Sequence, residues 1–176
     1  MKTLLKNAVL LDAAHEYESA DILVEDGKIA AVGDLNGDGR DDVVLKHDAG
    51  FAGSWLTQSD GTMVWASLDS LGEGLDIVGA GDFNGDGTDD VLLKKGSYYG
   101  AWLVQDGNAA GWMGLGDLGD VAVEQISDFD GDGKDDLRIR TAAGDLGALL
   151  VRGEDHLEWK YYGSVGSEWS TALVAI

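Results

Sequence analysis

Short apolar runs alternate with glycine- and aspartate-rich stretches along most of the chain. Val43–Leu45 and Val91–Leu93 are runs of β-branched and aliphatic residues, which are typical of buried strands. Each is followed by a second run, Ser54–Leu56 or Ala101–Val104, and then by a third, as around Trp65. The turn-forming stretches QSDG and QDGN lie between the second and third runs. With the short apolar run that enters each acidic loop, the pattern predicts units of four strands.

The same unit recurs three times in register. The segments GDLNGDGRDDVVLK, GDFNGDGTDDVLLK and SDFDGDGKDDLRIR begin at Gly33, Gly81 and Ser127, and tryptophans 65, 112 and 159 recur at intervals of 47 residues. A β-propeller blade has four strands in about 40–50 residues. We therefore predict an all-β fold, a β-propeller-like array of three four-stranded blades, with repeats at 28–75, 76–121 and 122–168.

The two ends of the chain are expected to extend this array. Residues 1–27 form an N-terminal β-segment with strands predicted at Thr3–Leu11 and Asp21–Glu25, and 169–176 align with the first strand of a fourth unit. Because three blades leave strand edges exposed, we expect the terminal strands to make or cap a fourth blade. The alternative is an incomplete propeller that is completed by self-association.

Each repeat opens with an acidic loop of the form D-x-[DN]-x-D-G-x-x-D, numbered here as loop positions 1 to 9. Calcium takes about 6–8 oxygen ligands, and side chains at positions 1, 3 and 5 converge on one point if the backbone curls. Position 7 offers its carbonyl, the aspartate at position 9 closes the shell, and glycines at positions 4 and 6 permit the curl. The predicted ligands are Asp34, Asn36, Asp38, the Arg40 carbonyl and Asp42; Asp82, Asn84, Asp86, the Thr88 carbonyl and Asp90; and Asp128, Asp130, Asp132, the Lys134 carbonyl and Asp136.

The loops therefore predict about three Ca²⁺ ions per chain, with metal binding coupled to folding. Without a cation, the clustered carboxylates would repel one another. Magnesium fits less well, because it prefers octahedral geometry and retains its waters. Exposed turns without metal are the alternative, which three copies in register disfavour. An EF-hand is excluded because position 12 is Leu45, Leu93 or Ile139 inside a strand-like run, not an acidic residue before a helix.

The charge balance narrows the range of partners. Asp and Glu number 33 against 12 Lys and Arg, a net charge of −21, so nucleic acid and anionic membranes are poor partners. No stretch approaches the roughly 20 apolar residues of a membrane-spanning helix, so no membrane insertion is expected. The N-terminus shows no clear signal peptide, because Lys6, Asn7 and Asp12 interrupt its apolar residues.

The tryptophans of the repeats have two interpretations. Their register favours packing between blades, and stacking against a carbohydrate is the alternative. The residues concerned are Trp55, Trp102, Trp65, Trp112 and Trp159.

These units resemble the FG-GAP / VCBS repeat family, the calcium-loop blades of integrin α-subunit propellers and of many bacterial surface proteins. The resemblance covers 28–176, and GDFNGDGTDDVLL looks like a family consensus. It implies a propeller blade, calcium in the loop between the first two strands, and an extracellular or cell-surface location. It also implies a role in adhesion or in contact with carbohydrate or a protein surface ligand. The third repeat departs from the pattern, with Ser127 for Gly and Leu149 for Trp.

The first 32 or so residues, including LLKNAVLLDAAHEYESADILVEDGKIAAVG, resemble the N-terminal β-segment of amidohydrolases of the dihydroorotase and dihydropyrimidinase type. Those enzymes then present a His-x-His metal motif, whereas His15, His47 and His156 have no paired spacing. Ser97, Ser164 and Ser170 lie in predicted turns without a nearby histidine motif. We therefore predict a calcium-binding, non-catalytic module with a structural, adhesion or recognition role. The alternatives are a remnant or fragment of a metal-dependent amidohydrolase, and a carbohydrate-binding lectin.

Overall fold

The computed structural model describes residues 2–8, 11–12, 15–16, 20–25, 31–47 and 49–166. These residues form strands, turns and bends, and none of them belongs to a helix. In the described part of the chain there is accordingly no apolar helix of membrane-spanning length. The contacts divide the chain into two compact units, and the larger, Ala30–Trp169, contains the three acidic loops.

The N-terminal unit contains two small antiparallel sheets. The strands are β1 (Lys2–Ala8), which pairs with β4 (Ala20–Glu25), and β2 (Leu11–Asp12), which pairs with β3 (His15–Glu16). The strand predicted at Asp21–Glu25 is therefore present. Of the one predicted at Thr3–Leu11, residues 3–8 lie in β1 and Leu11 lies in β2. The closing strand predicted at 169–176 lies outside the described residues, so a fourth blade stays a prediction.

Each repeat folds into one four-stranded antiparallel sheet in which strands pair with their sequence neighbours. The first consists of β5 (Ala31–Gly33), β6 (Asp42–His47), β7 (Phe51–Thr57) and β8 (Met63–Ser70). The second consists of β9 (Asp76–Gly81), β10 (Asp90–Lys95), β11 (Tyr98–Gln105) and β12 (Asn108–Asp117). The third consists of β13 (Val121–Ser127), β14 (Asp136–Thr141), β15 (Asp145–Gly153) and β16 (His156–Ser164).

The predicted all-β fold with three four-stranded units is thereby confirmed, but the sheets are not closed into a barrel. The first two sheets lie within the predicted repeats, and the third begins at Val121, one residue before its predicted start. Every acidic loop connects the first and second strands of its sheet, as predicted.

The second sheet is buried on both faces, because the first and third sheets pack against it. Val91 and Leu93 on β10 belong to a core cluster with Val44 of the first sheet. Leu92, which lies between them, belongs to a different cluster with Leu137 of the third sheet. Successive residues of a strand point to opposite faces, so a strand covered on both sides needs a continuous apolar run. All three β10 residues are fully buried.

The tryptophan of each fourth strand covers a glycine of the third strand in its own sheet. A Cβ added at Gly53 would lie 2.2 Å from the ring of Trp65. The rings remain 41–49% exposed. The prediction that these tryptophans pack between blades is therefore wrong, because a glycine on the paired strand leaves a recess that the ring fills. The same holds in the other two sheets: an added Cβ would lie 2.1 Å from the Trp112 ring at Gly100, and 2.4 Å from the Trp159 ring at Gly147.

The tryptophans of the third strands behave differently. Trp102 is partly buried against the core cluster shared by the first and second sheets, which agrees with packing between the repeats. Trp55 is also partly buried.

Candidate metal centre

The six glycines at loop positions 4 and 6 all adopt positive φ, between 72° and 86°. Residues with a Cβ rarely take this conformation, so the glycines allow the tight curl that the sequence predicts. They are Gly37, Gly39, Gly85, Gly87, Gly131 and Gly133.

The aspartate at position 1 is held by the backbone of its own loop. Its Oδ2 accepts the N–H of the position 6 glycine, at 2.7 Å in Asp34, 2.7 Å in Asp82 and 3.0 Å in Asp128. The N–H groups of Gly133 and Gly131 lower the pKa of Asp128, because they stabilise the ionised carboxylate. Asp128 therefore stands at the entry of the third loop as an anion.

The aspartate at position 5 makes one bond that is common to the three loops. Its Oδ1 accepts the position 7 N–H, at 3.0 Å in Asp38, 2.9 Å in Asp86 and 2.9 Å in Asp132. Its Oδ2 faces a different partner in each loop: Arg40, the Asn84 amide or Arg152. The position 7 residues thus act here through their N–H groups, and the metal contact of their carbonyls stays a prediction.

The Asn84 carboxamide at position 3 of the second loop contains an orphaned oxygen. Its Nδ2 donates to Asp86 Oδ2 at 2.9 Å, whereas its Oδ1 is buried without a hydrogen-bond partner. Without a cation between them, the reverse orientation would point Oδ1 at the Asp86 carboxylate, which would repel it. A buried acceptor left without a donor costs about 1–3 kcal/mol. A cation beside Oδ1 would remove that cost.

The aspartate at position 9 is fully buried and joins the loop to the third strand. In Asp42, Oδ2 accepts the Leu35 N–H at 3.0 Å and Oδ1 accepts the Thr57 N–H at 2.8 Å. Asp90 and Asp136 make the equivalent pair of bonds. Burial raises the pKa of Asp42 to about 6 and of Asp90 to about 7. It also raises the pKa of Asp136.

The position 9 aspartate, which is the predicted closing ligand, therefore also ties its loop to the third strand, a role that the motif does not reveal. Each carboxylate oxygen at position 9 accepts one N–H and retains a lone pair for a further partner.

The third loop brings three carboxylates together. Asp128, Asp130 and Asp136 each offer one oxygen, and these atoms lie within 4.8 Å of one another. Within the described ranges this is the one group of three His, Cys, Asp or Glu side chains so placed. Asp132 is not part of it. In the first two loops, position 3 offers a carboxamide oxygen from Asn36 or Asn84 instead. Donor sets made entirely of oxygen suit a hard cation such as Ca²⁺.

Position 8 also has a function, and the sequence analysis missed it. Asp89 Oδ2 accepts the backbone N–H of Asp34 at 2.8 Å, and the Asp89 N–H donates to the Asp34 carbonyl at 2.7 Å. Asp135 makes the same two bonds to Asp82, at 3.0 Å and 2.7 Å. Each pair of hydrogen bonds, called here the inter-loop clamp, joins the first residue of one DD dipeptide to the loop entry of the preceding repeat. The recurrent DD is the available sequence signal.

The inter-loop clamp requires a glycine before position 1 of the receiving loop. A Cβ at Gly33 would lie 2.4 Å from Asp89 Oδ2, and one at Gly81 would lie 2.6 Å from Asp135 Oδ2. The third repeat has Ser127 at this place. Among the described residues, the clamp is received by the first and second loops, which have the glycine.

Searches of protein-family models, curated proteins and solved structures find no match to this chain. The geometry of the three loops is therefore what points to a metal centre, and the family resemblance stays a prediction.

Proposed function

We propose that this chain is a calcium-binding, non-catalytic repeat module of the FG-GAP / VCBS type. The observation that supports it most is the third loop, where oxygens of Asp128, Asp130 and Asp136 lie within 4.8 Å of one another. The buried, unpartnered Oδ1 of Asn84 in the second loop is independent support. Oxygen donors that converge in this way match the ligand preference of Ca²⁺.

In each loop, the aspartates at positions 1, 5 and 9 and the Asn or Asp at position 3 would hold the ion, together with the position 7 carbonyl. When bound, Ca²⁺ supplies positive charge that offsets the repulsion among the loop carboxylates. The protein supplies the rigid frame. The position 9 carboxylate ties the loop to the third strand, and the inter-loop clamp ties it to the neighbouring repeat.

The proposed role of the module is adhesion or recognition outside the cell or at its surface. Extracellular calcium modules work with weak sites, with Kd of about 10⁻⁴–10⁻³ M. Exposed aromatic side chains give the module a surface for recognition. On β16 they include Tyr161, Tyr162 and Trp159, which are 58%, 49% and 41% exposed.

Carbohydrate binding is the second candidate function, and the half-exposed tryptophans favour it. Trp65, Trp112 and Trp159 each leave part of the ring uncovered, and an uncovered aromatic face can stack on the apolar face of a sugar. A glycan array probed in calcium, with Trp112→Phe as a variant that keeps an aromatic over Gly100, tests this role. If no glycan binds, carbohydrate binding is rejected and recognition of a protein surface remains as the proposed role.

Calcium titration of the metal-free full chain by calorimetry, with elemental analysis of the bound metal, tests the main proposal. We expect about three Ca²⁺ per chain, and a higher melting temperature in calcium than in EDTA. Asp86→Asn keeps a side-chain acceptor for Thr88 but removes a ligand charge, so it should weaken one site and leave two. Glu73→Gln removes one exposed carboxylate outside the loops and should change nothing. A wild-type chain that takes up no calcium would overturn the proposal.

A further inference from the structure

The third loop differs from the other two at a pair of positions. Position 3 is Asp130, where the first two loops have asparagine. The second difference lies on the third strand. Thr57, Val104 and Val151 are equivalent, because each donates its N–H to the position 9 aspartate of its loop. The next residue is Arg152 in the third repeat, and Gln58 or Gln105 in the others.

These two differences meet in space. Arg152 Nη1 lies 2.6 Å from Asp130 Oδ2 and 2.9 Å from Asp132 Oδ2, and Nη2 lies 3.1 Å from Glu158 Oε2. The third loop has aspartate at positions 1, 3, 5 and 9, one carboxylate more than the other two. A fixed guanidinium thus contacts two of the four carboxylates that crowd this loop.

The first loop has a weaker version of this contact. Arg40 Nη1 lies 3.1 Å from Asp38 Oδ2, but Arg40 is part of the loop itself, contacts one carboxylate there and is 41% exposed. The Arg152 side chain comes from β15, is 27% exposed and bridges positions 3 and 5. A planar guanidinium with several donors suits such bridging, whereas a glutamine at the same place carries no charge.

We propose that Arg152 is an internal counter-ion of the third loop. It holds Asp130 and Asp132 in place without metal, and it lowers the affinity of this loop for Ca²⁺. Both effects have one cause, since the guanidinium occupies carboxylate oxygens and cancels part of the negative potential that attracts a cation. The calcium part of this inference rests on the proposed function, whereas the metal-free part does not.

Arg152→Gln in the full chain is the direct test, because it places in the third repeat the residue that the other two have. In EDTA we expect the melting temperature to fall by several degrees, because four carboxylates lose their cation. In calorimetric titration with CaCl₂ we expect one site to bind about tenfold more tightly, and the gain in melting temperature on adding calcium to exceed that of the wild type.

Lys160→Gln is the matched control. It removes one positive charge from an exposed position on β16 and should leave both measurements at their wild-type values. The combined change Asn84→Asp and Gln105→Arg builds the same pair into the second loop, and this loop should bind calcium more weakly than it does in Asn84→Asp alone. This gain-of-function variant decides the question if Arg152→Gln fails to fold.

The inference fails if Arg152→Gln melts like the wild type in EDTA and binds calcium with unchanged affinity, because Arg152 would then be an ordinary surface ion pair. If the wild-type chain binds no calcium, the proposed function fails and the calcium part of the inference fails with it. The melting experiment in EDTA would then still test the counter-ion part, so the two failures are distinguishable.

Discussion

Asp89 and Asp34, which are 55 residues apart, are joined by two hydrogen bonds between successive loops. The Asp89 carboxylate accepts the Asp34 N–H, and the Asp89 N–H donates to the Asp34 carbonyl. The proposed metal-binding role would account for the oxygen-bearing side chains at positions 1, 3, 5 and 9. It does not account for Asp89 and Asp135 at position 8, whereas this clamp does.

Asp89→Ala should lower the free energy of unfolding by about 1–3 kcal/mol, because it leaves the Asp34 N–H without its acceptor. Asp89→Asn keeps an acceptor oxygen and removes a charge whose burial is costly, since burial raises the pKa of Asp89 to about 7. We expect it to retain near wild-type stability. Urea unfolding of both variants in metal-free buffer measures the difference, and equal losses would argue against the clamp.

Gly33→Ala should destabilise the chain because the added methyl group would meet the Asp89 carboxylate. Its cost should shrink in an Asp89→Ala background, which removes the clashing oxygen, so the two changes should be non-additive. Ser127→Ala changes the equivalent residue of the third repeat and should be nearly neutral. Thermal melting of the three variants checks this, and strict additivity of the first two would contradict it.

The metal-free chain should become more stable as the pH falls from about 8 to about 5. Burial raises the pKa of Asp89 and Asp90 to about 7 and of Asp42 to about 6, above the ordinary value of 3.8. The folded chain then binds more protons than the unfolded chain in this window. The stabilisation is complete below about 3.8 and is lost as the pH rises through 6 to 7.

Calcium should reverse this pH dependence, because the ion binds ionised carboxylates. Urea unfolding at pH 5 and pH 8, with and without calcium, measures how the free energy of unfolding changes with pH in each case. A metal-free chain that is most stable at pH 8 would show that these aspartates are not buried as described.

Trp112→Ala should lower the free energy of unfolding by about 1–2 kcal/mol, because the ring is 42% exposed and only its contact with the sheet is lost. Trp112→Phe should recover part of this loss, since it still covers Gly100. Denaturant unfolding measures both variants. A loss of the size seen for a fully buried tryptophan would show that the ring packs between repeats after all.

The strands and the loop conformation were accessible from the sequence because both depend on local chemistry. The run Val91–Leu93 indicates a strand, and glycines such as Gly85 and Gly87 allow the curl within nine residues. The all-β fold and the position of each loop between two strands follow from the same local signals. Three repeats of one pattern made these signals stronger.

The contacts between repeats were not accessible in the same way. The partner of Asp89 lies in the preceding loop, and no local pattern specifies that contact. The exposure of Trp112 was misjudged because a 47-residue period identifies equivalent positions but not the face of the sheet on which they lie. Arg152 was overlooked because it is 20 residues from Asp132 and approaches from another strand.

The inter-loop clamp has a direction, since a carboxylate on the later repeat is received by backbone on the earlier one. Head-to-tail contacts of this kind have no inherent stopping point, and identical units joined by them close into rings or grow into filaments. An extra molecule that presented its own aspartate to the third loop would meet a Cβ at Ser127 in place of a glycine. The Ser127 side chain should therefore disfavour the addition of a further unit through this contact.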